Sequence, residues 1–321
     1  MRYSVILSCV LLLLAPLSGA AAGVDPLTAE INTEDADRFV SIYETSGGSP
    51  SAADLDAGYI GPGTDGLRTF IPNRIENGEH LAKKIAENSS EYRRAIDICL
   101  PVAKASTGEL RAVYLALEGL LGDPDLPAIY ALFGAGNSGG TAGPDLQVIG
   151  LEVICRDADS EEKIRAVLRS FYAHETVHTL QTPGDSIVEG ADPLLTSVLQ
   201  EGTADYVASL VTGREPSPER AAWAKAREKE LWKAFAKDRR AMKKLSPDKQ
   251  YEKGSPIFHW IANVGSPPEG WPGELGYWLG MEIAAAYVDA ADDKRAAIKE
   301  LIHFTDPEPI LEKSGYAKRF K

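Results

Sequence analysis

The stretch His174-Glu175-Thr176-Val177-His178 holds the residues of this chain best suited to chemistry. On a 3.6-residue helix, four positions place two side chains about 40° apart and one turn along the axis. Both imidazoles then point the same way and can close on one ion. Glu175 falls about 60° from His178 on the same broad face, where it is placed to hold a water bound to that ion. The face continues backwards through Phe171, Leu168, Val167 and Ile164, which directs the site inward. A histidine on an apolar face is more often a hydrogen-bonded core residue than a ligand. Two imidazoles and a carboxylate buried together, however, are costly unless something satisfies them.

A second run supplies a partner. In PLLTSVLQEGTADYVASLVTG, Glu201 and Asp205 lie four apart and share a face with Leu194, Val198 and Ala208. Two helices that both direct acids or imidazoles inward call for a cation between them. A catalytic zinc site needs three protein ligands and one open position. His174, His178 and Glu201 supply the three for a single Zn2+, and Asp205 is placed to accept the free ring N–H of a ligating histidine.

His-Glu-x-x-His on one helix followed by Glu-x-x-x-Asp on the next resembles the gluzincin metallopeptidases. The 22 residues between His178 and Glu201 are somewhat more than is usual there. NSGGTA (137–142), HETVH and GYWLG (276–280) look more closely like secreted bacterial families described as predicted zinc-dependent proteases. The resemblance runs from about Ile129 to Asp289. It implies an α+β fold: a mostly helical zincin-like metallopeptidase domain with a small β-sheet preceding the active-site helix. It also implies hydrolysis of a peptide or protein substrate, with Glu175 as general base to a zinc-activated water. Tyr277 is the first choice for the oxyanion donor, followed by His259 and Tyr251. A second reading is a non-catalytic, zinc-stabilised envelope binding protein.

The elements that must position these residues follow from patterning. Residues 1–22 combine Arg2, an apolar run and a small-residue end, the pattern of a secretory signal peptide; a secreted or periplasmic location is expected. Residues 23–66 form a polar segment, with a short helix near 34–45 and then an extended linker. The catalytic domain is expected over 67–321, containing β-structure to about 157 and helical from 158. Helices are expected at 77–94 and 108–121, and strands at 96–103, 128–135 and 146–155. The last of these is a candidate edge for an extended peptide. Asp159 reads as the N-cap of the histidine helix, Pro193 and Gly213 as the bounds of the next. A long basic helix is expected over 218–244 and another helix over 277–291.

Composition excludes some classes. The chain is 44% hydrophobic and 25% charged with a formal net charge of −13, which argues against nucleic-acid binding. GNSGGTAG lacks the Gly-Lys-Ser/Thr ending of a phosphate loop. No stretch after the leader is long and apolar enough to span a membrane. Cys99 and Cys155 are the two cysteines beyond it, and whether they pair is not written in the sequence. Oligomeric state is equally unmarked.

Overall fold

The computed structural model describes residues 23–320 apart from Asp157 and Val264; the signal peptide expected over 1–22 lies outside the described residues. The chain is mostly helical with one four-stranded sheet, an α+β architecture. Strands β1 (Ile31–Asn32), β2 (Ala128–Leu132), β3 (Gly140–Ala142) and β4 (Leu146–Gly150) lie in the order β1-β2-β4-β3. The first three in space run parallel, and β3 runs antiparallel to β4, with Thr141 opposite Val148. The glycine-rich run between the two expected strands therefore supplies a strand of its own. Because β4 is covered by β2 and β3, it is not the edge expected of residues 146–155; the outer edge belongs to β3.

Helix α1 (Glu34–Thr45) forms where expected, but no extended linker follows it. Helical turns occupy Ala52–Leu55 and Asp56–Ile60, and α2 spans Asp65–Phe70. Ser51 and Thr64 cap these turns by accepting from the Asp54 and Leu67 amides, which compensates for the glycines and prolines around them. Phe39 of α1 lies in a ring cluster with Tyr43, Tyr59, Tyr92 and Phe133, at centroid distances of 4.5 to 5.9 Å. The segment thus contributes directly to the core.

Residues 96–103 are not a strand. Helical turns run through Ser89–Arg94, Ala95–Cys99 and Leu100–Lys104. Ile96, Cys99, Leu100 and Ala103 are buried while Asp97 and Ile98 are exposed, a helical spacing that the β-branched composition masks. Cys99 reaches Cys155 and forms a disulfide across 56 residues. Strand β4 also stops early, and Leu151–Ile154 turn into a short helix. Buried Glu152 faces back from there and accepts the amides of Gly134 (2.9 Å) and Gly136 (3.0 Å).

A helix also covers Gly78–Glu87, and the principal later helices are α3 (Thr107–Leu121), α4 (Glu161–Leu180), α5 (Pro193–Thr212), α6 (Pro218–Lys225), α7 (Glu228–Met242), α8 (Leu275–Ala290), α9 (Lys294–Ile302) and α10 (Pro307–Ser314). Ser160, not Asp159, caps α4, accepting from the Lys163 amide; Asp159 pairs with Lys163 instead. The basic segment is two helices, α6 and α7, broken between Lys225 and Glu228. Leu231, Phe235 and Met242 of α7 are buried, while Lys229, Lys233, Lys237 and Arg240 are exposed on its outer side. Asp238, the polar interruption of that apolar face, accepts Trp260 Nε1 (3.0 Å) and pairs with His259 Nδ1 (2.9 Å).

Candidate metal centre

Helix α4 is held in place from two sides. Tyr172 shares a 2.8 Å hydrogen bond with Ser106 beside α3, and the buried Gln147 amide of β4 donates to Tyr172 O and Thr176 Oγ1. These contacts fix the rotation of the helix, which leaves His174 and His178 facing α5. Helix α5 begins at buried Asp192, which accepts the Leu195 amide and pairs with Arg239 of α7. Its far side packs against α8 at glycines: a Cβ built on Gly280 would fall 1.8 Å from Val198 O, and one on Gly202 would fall 2.1 Å from the Gly280 carbonyl carbon. The Gly-x-x-x-Gly spacing inside GYWLG thus serves close helix packing, which seats Glu201 at a fixed depth.

The structure brings His174, His178 and Glu201 together. Their Nε2 atoms lie 3.0 Å apart, and Glu201 Oε2 lies 3.2 Å from His178 and 3.4 Å from His174. The other ring nitrogens are committed elsewhere. His174 Nδ1–H donates to Asp205 Oδ1 at 2.9 Å, and Arg220 donates to Asp205 Oδ2 at 3.1 Å. His178 Nδ1 lies 2.8 Å from Gln181 Oε1, while Gln181 Nε2 donates to the Gln200 carbonyl. That second bond fixes which end of the amide faces the imidazole, so His178 Nδ1 must carry the proton. In the neutral imidazoles both Nε2 atoms then present lone pairs toward each other and toward a carboxylate oxygen.

Three electron-rich atoms in such contact repel unless a cation joins them. Burial opposes charge on the imidazoles, yet neighbouring carboxylates outweigh it. Asp205 and Glu201 hold His174 well above its ordinary pKa, and Glu201 raises His178. Burial likewise opposes charge on Glu201, but the two imidazoles hold its carboxyl far below the usual range. The cluster draws positive charge. For a metal bound tetrahedrally at about 2.0–2.1 Å, neighbouring donors are separated by roughly 3.3 Å. The observed edges of 3.0, 3.2 and 3.4 Å fit that figure, so these residues suit one ion of the zinc class.

The other candidate residues take different places. Asp205 meets His174 as expected from the spacing. Glu175 is buried beside β3, where a Cβ on Gly140 would fall 2.7 Å from its Oε1; burial raises its pKa. Tyr277 stacks on the His174 ring, centroids 5.9 Å apart and planes within 11°, and the Arg220 guanidinium covers the Tyr277 ring at 5.4 Å. His259 pairs with Asp238 on α7, and Tyr251 is 61% exposed beside α5; no hydrogen bond among the described residues joins either to the cluster.

Sequence reasoning did not find Gln181, Arg220 or Glu274. Gln181 was accessible, since it stands three residues after His178 at the helix end. Arg220 gave no local signal, because it arrives from α6. Glu274 opens α8 with φ 60° and exchanges hydrogen bonds with Asn263, pinning the loop between them. Burial raises its pKa, with Glu201 adding to the shift.

Among the described residues no helix is long and apolar enough to cross a membrane. The Cys99–Cys155 disulfide fits an oxidising compartment, in agreement with export. Over residues 187–318 the chain is similar to a family described as gliding motility protein GldB. No curated protein and no solved structure matches. The family similarity corrects the gluzincin assignment: it includes Glu201 and Asp205, it names no peptidase, and no protease family matches. With that assignment go the hydrolase class and the zinc-peptidase activity. The physical reason is that His-x-x-x-His spacing fixes where two donors lie on a helix but carries no information about turnover.

Proposed function

We propose that this chain is an exported, non-enzymatic protein of the cell envelope that serves surface motility and uses one divalent ion, zinc, to pin α4 to α5. The motility reading rests on the similarity to the gliding motility protein GldB. The ion reading rests on one observation: three lone-pair atoms form a triangle of 3.0, 3.2 and 3.4 Å, with the opposite ring nitrogens locked by Asp205 and Gln181. His174 and His178 come from a helix outside the similar segment, whereas Glu201 comes from within it. A bound ion would therefore join the two parts of the chain. When bound, it supplies positive charge that neutralises the cluster; binding only to the folded state, it stabilises by mass action.

Elemental analysis of the purified protein tests the ion. One zinc per chain is expected, falling to near none in the double variant His174→Ala, His178→Ala, and failure to take up metal on reconstitution would remove it. The motility role is tested by deleting the gene in its source organism and scoring surface spreading. Spreading should be lost, then restored equally by the wild-type chain and by Glu175→Gln. Undiminished spreading in the deletion strain would overturn the role, and rescue by wild type alone would overturn its non-enzymatic character.

A further inference from the structure

We infer that Arg74 is the anion-recognising half of a carboxylate-binding site whose other half is the ion held by His174, His178 and Glu201. This rests on the ion reading above and adds a ligand class to it.

Arg74 is half-buried on a turn with left-handed residues on both sides, Asn73 at φ 63° and Glu76 at φ 65°. Such conformations are costly for residues other than glycine, and they persist where surrounding structure enforces them. The guanidinium lies over the Phe70 ring at 5.4 Å. Its Nε donates to Ser138 Oγ at 3.3 Å and its Nη2 to Thr141 Oγ1 at 2.8 Å. Both acceptors are neutral hydroxyls. Arg220 and Arg239, which are more deeply buried, each pair with a carboxylate. Among the described residues Arg74 makes no such pair and Nη1 makes no hydrogen bond. A guanidinium partly stripped of water, with Nη1 free of protein partners and no carboxylate in direct contact, can take an anion there.

Position ties this cation to the metal cluster. Thr141, which holds Arg74, and Gly140, which packs on Glu175, are consecutive in β3 at the open edge of the sheet. A Cβ at 140 would press on the Glu175 side chain, which would have to shift. His174, His178 and Glu201 retain 14%, 19% and 23% of their side-chain exposure, so a solute can reach them. A planar guanidinium matches a carboxylate through paired N–H donors. A phosphate offers a similar pair of oxygens to the fork, so both anions are titrated below.

Cobalt-substituted protein provides the test, because its visible absorption reports changes around the ion. Succinate and inorganic phosphate are titrated into wild type, Arg74→Ala and Arg74→Lys, with circular dichroism checking that each is folded. Succinate should perturb the wild-type spectrum saturably. Its dissociation constant should rise by about tenfold or more in both variants, since lysine keeps the charge but not the fork. Equal succinate affinity in all three proteins would overturn the proposal, as would an Arg74-dependent response to phosphate alone. If Arg74→Ala unfolds, Arg74→Lys carries the comparison. Failure of cobalt or zinc to bind at all would instead show that the ion reading itself is wrong.

Discussion

Gly202 of α5 and Gly280 of α8 cross with their backbones in contact, so that a Cβ on Gly280 would lie 2.9 Å from Gly202 Cα. Gly202 follows the candidate ligand Glu201 directly in sequence. Substitution by alanine at either glycine must separate the helices, at a cost of about 1–3 kcal/mol or more for overpacking. Gly280→Ala should lower the urea midpoint and weaken zinc binding together. An unchanged midpoint would show that the crossing is not tight.

Gln181 and Asp205 orient the imidazoles through the nitrogens that do not face the cluster. Removing such partners typically weakens metal affinity by about 10–100-fold. Gln181→Leu and Asp205→Asn are expected to retain the fold and show that loss in competition with a chromophoric chelator. Asp205→Asn should have the larger effect, because it also releases Arg220.

Chelation gives a second view of the same ion. Incubation with EDTA should lower the melting temperature of the wild type and restore it on adding zinc. The double variant His174→Ala, His178→Ala should melt at one temperature whether or not EDTA is present. A chelator-insensitive wild type would exclude a stabilising ion.

The disulfide joins residues 56 apart, Cys99 and Cys155. Closing a loop of that length restricts the unfolded chain by about 4 kcal/mol in the chain-entropy treatment. Cys99→Ser with Cys155→Ser, or wild type under reducing conditions, should lose stability of that order in chemical denaturation.

Glu152 supplies a pH dependence. Burial raises its carboxyl above the ordinary value of 4.5, although the Gly134 and Gly136 amides pull the other way. The folded state therefore binds this proton more tightly than the unfolded one. Its contribution is fully present below the unfolded value and is lost as pH rises through the higher folded value. Glu152→Gln should lack this step in a plot of unfolding free energy against pH. It should also be less stable at neutral pH, having one acceptor where two amides donate.

Much of the helical half was legible because its signals are local. Pro193 begins α5, Gly213 ends it in the left-handed conformation, and the buried side of α7 follows helical spacing. The fourfold spacings of His174/His178 and Glu201/Asp205 placed each pair on one helical face. The β-containing half was harder. Ile96 to Ala103 has strand-forming residues but is helical, because packing around Cys99 overrode propensity. The edge status of β4 depended on where Gly140–Ala142 paired, which no local pattern announces.

By itself, the sequence determined which donors share a helix face, since that follows from the 3.6-residue repeat alone. Only the tertiary structure decided that the two faces meet within 3.4 Å, that Gln181 and Asp205 lock the ring nitrogens, and that Arg220 arrives from α6. It likewise paired Cys99 with Cys155 and set Arg74 against β3. Each of these is a contact between segments far apart along the chain. Such contacts are set by how helices and sheet pack together, a property that no short run of residues carries.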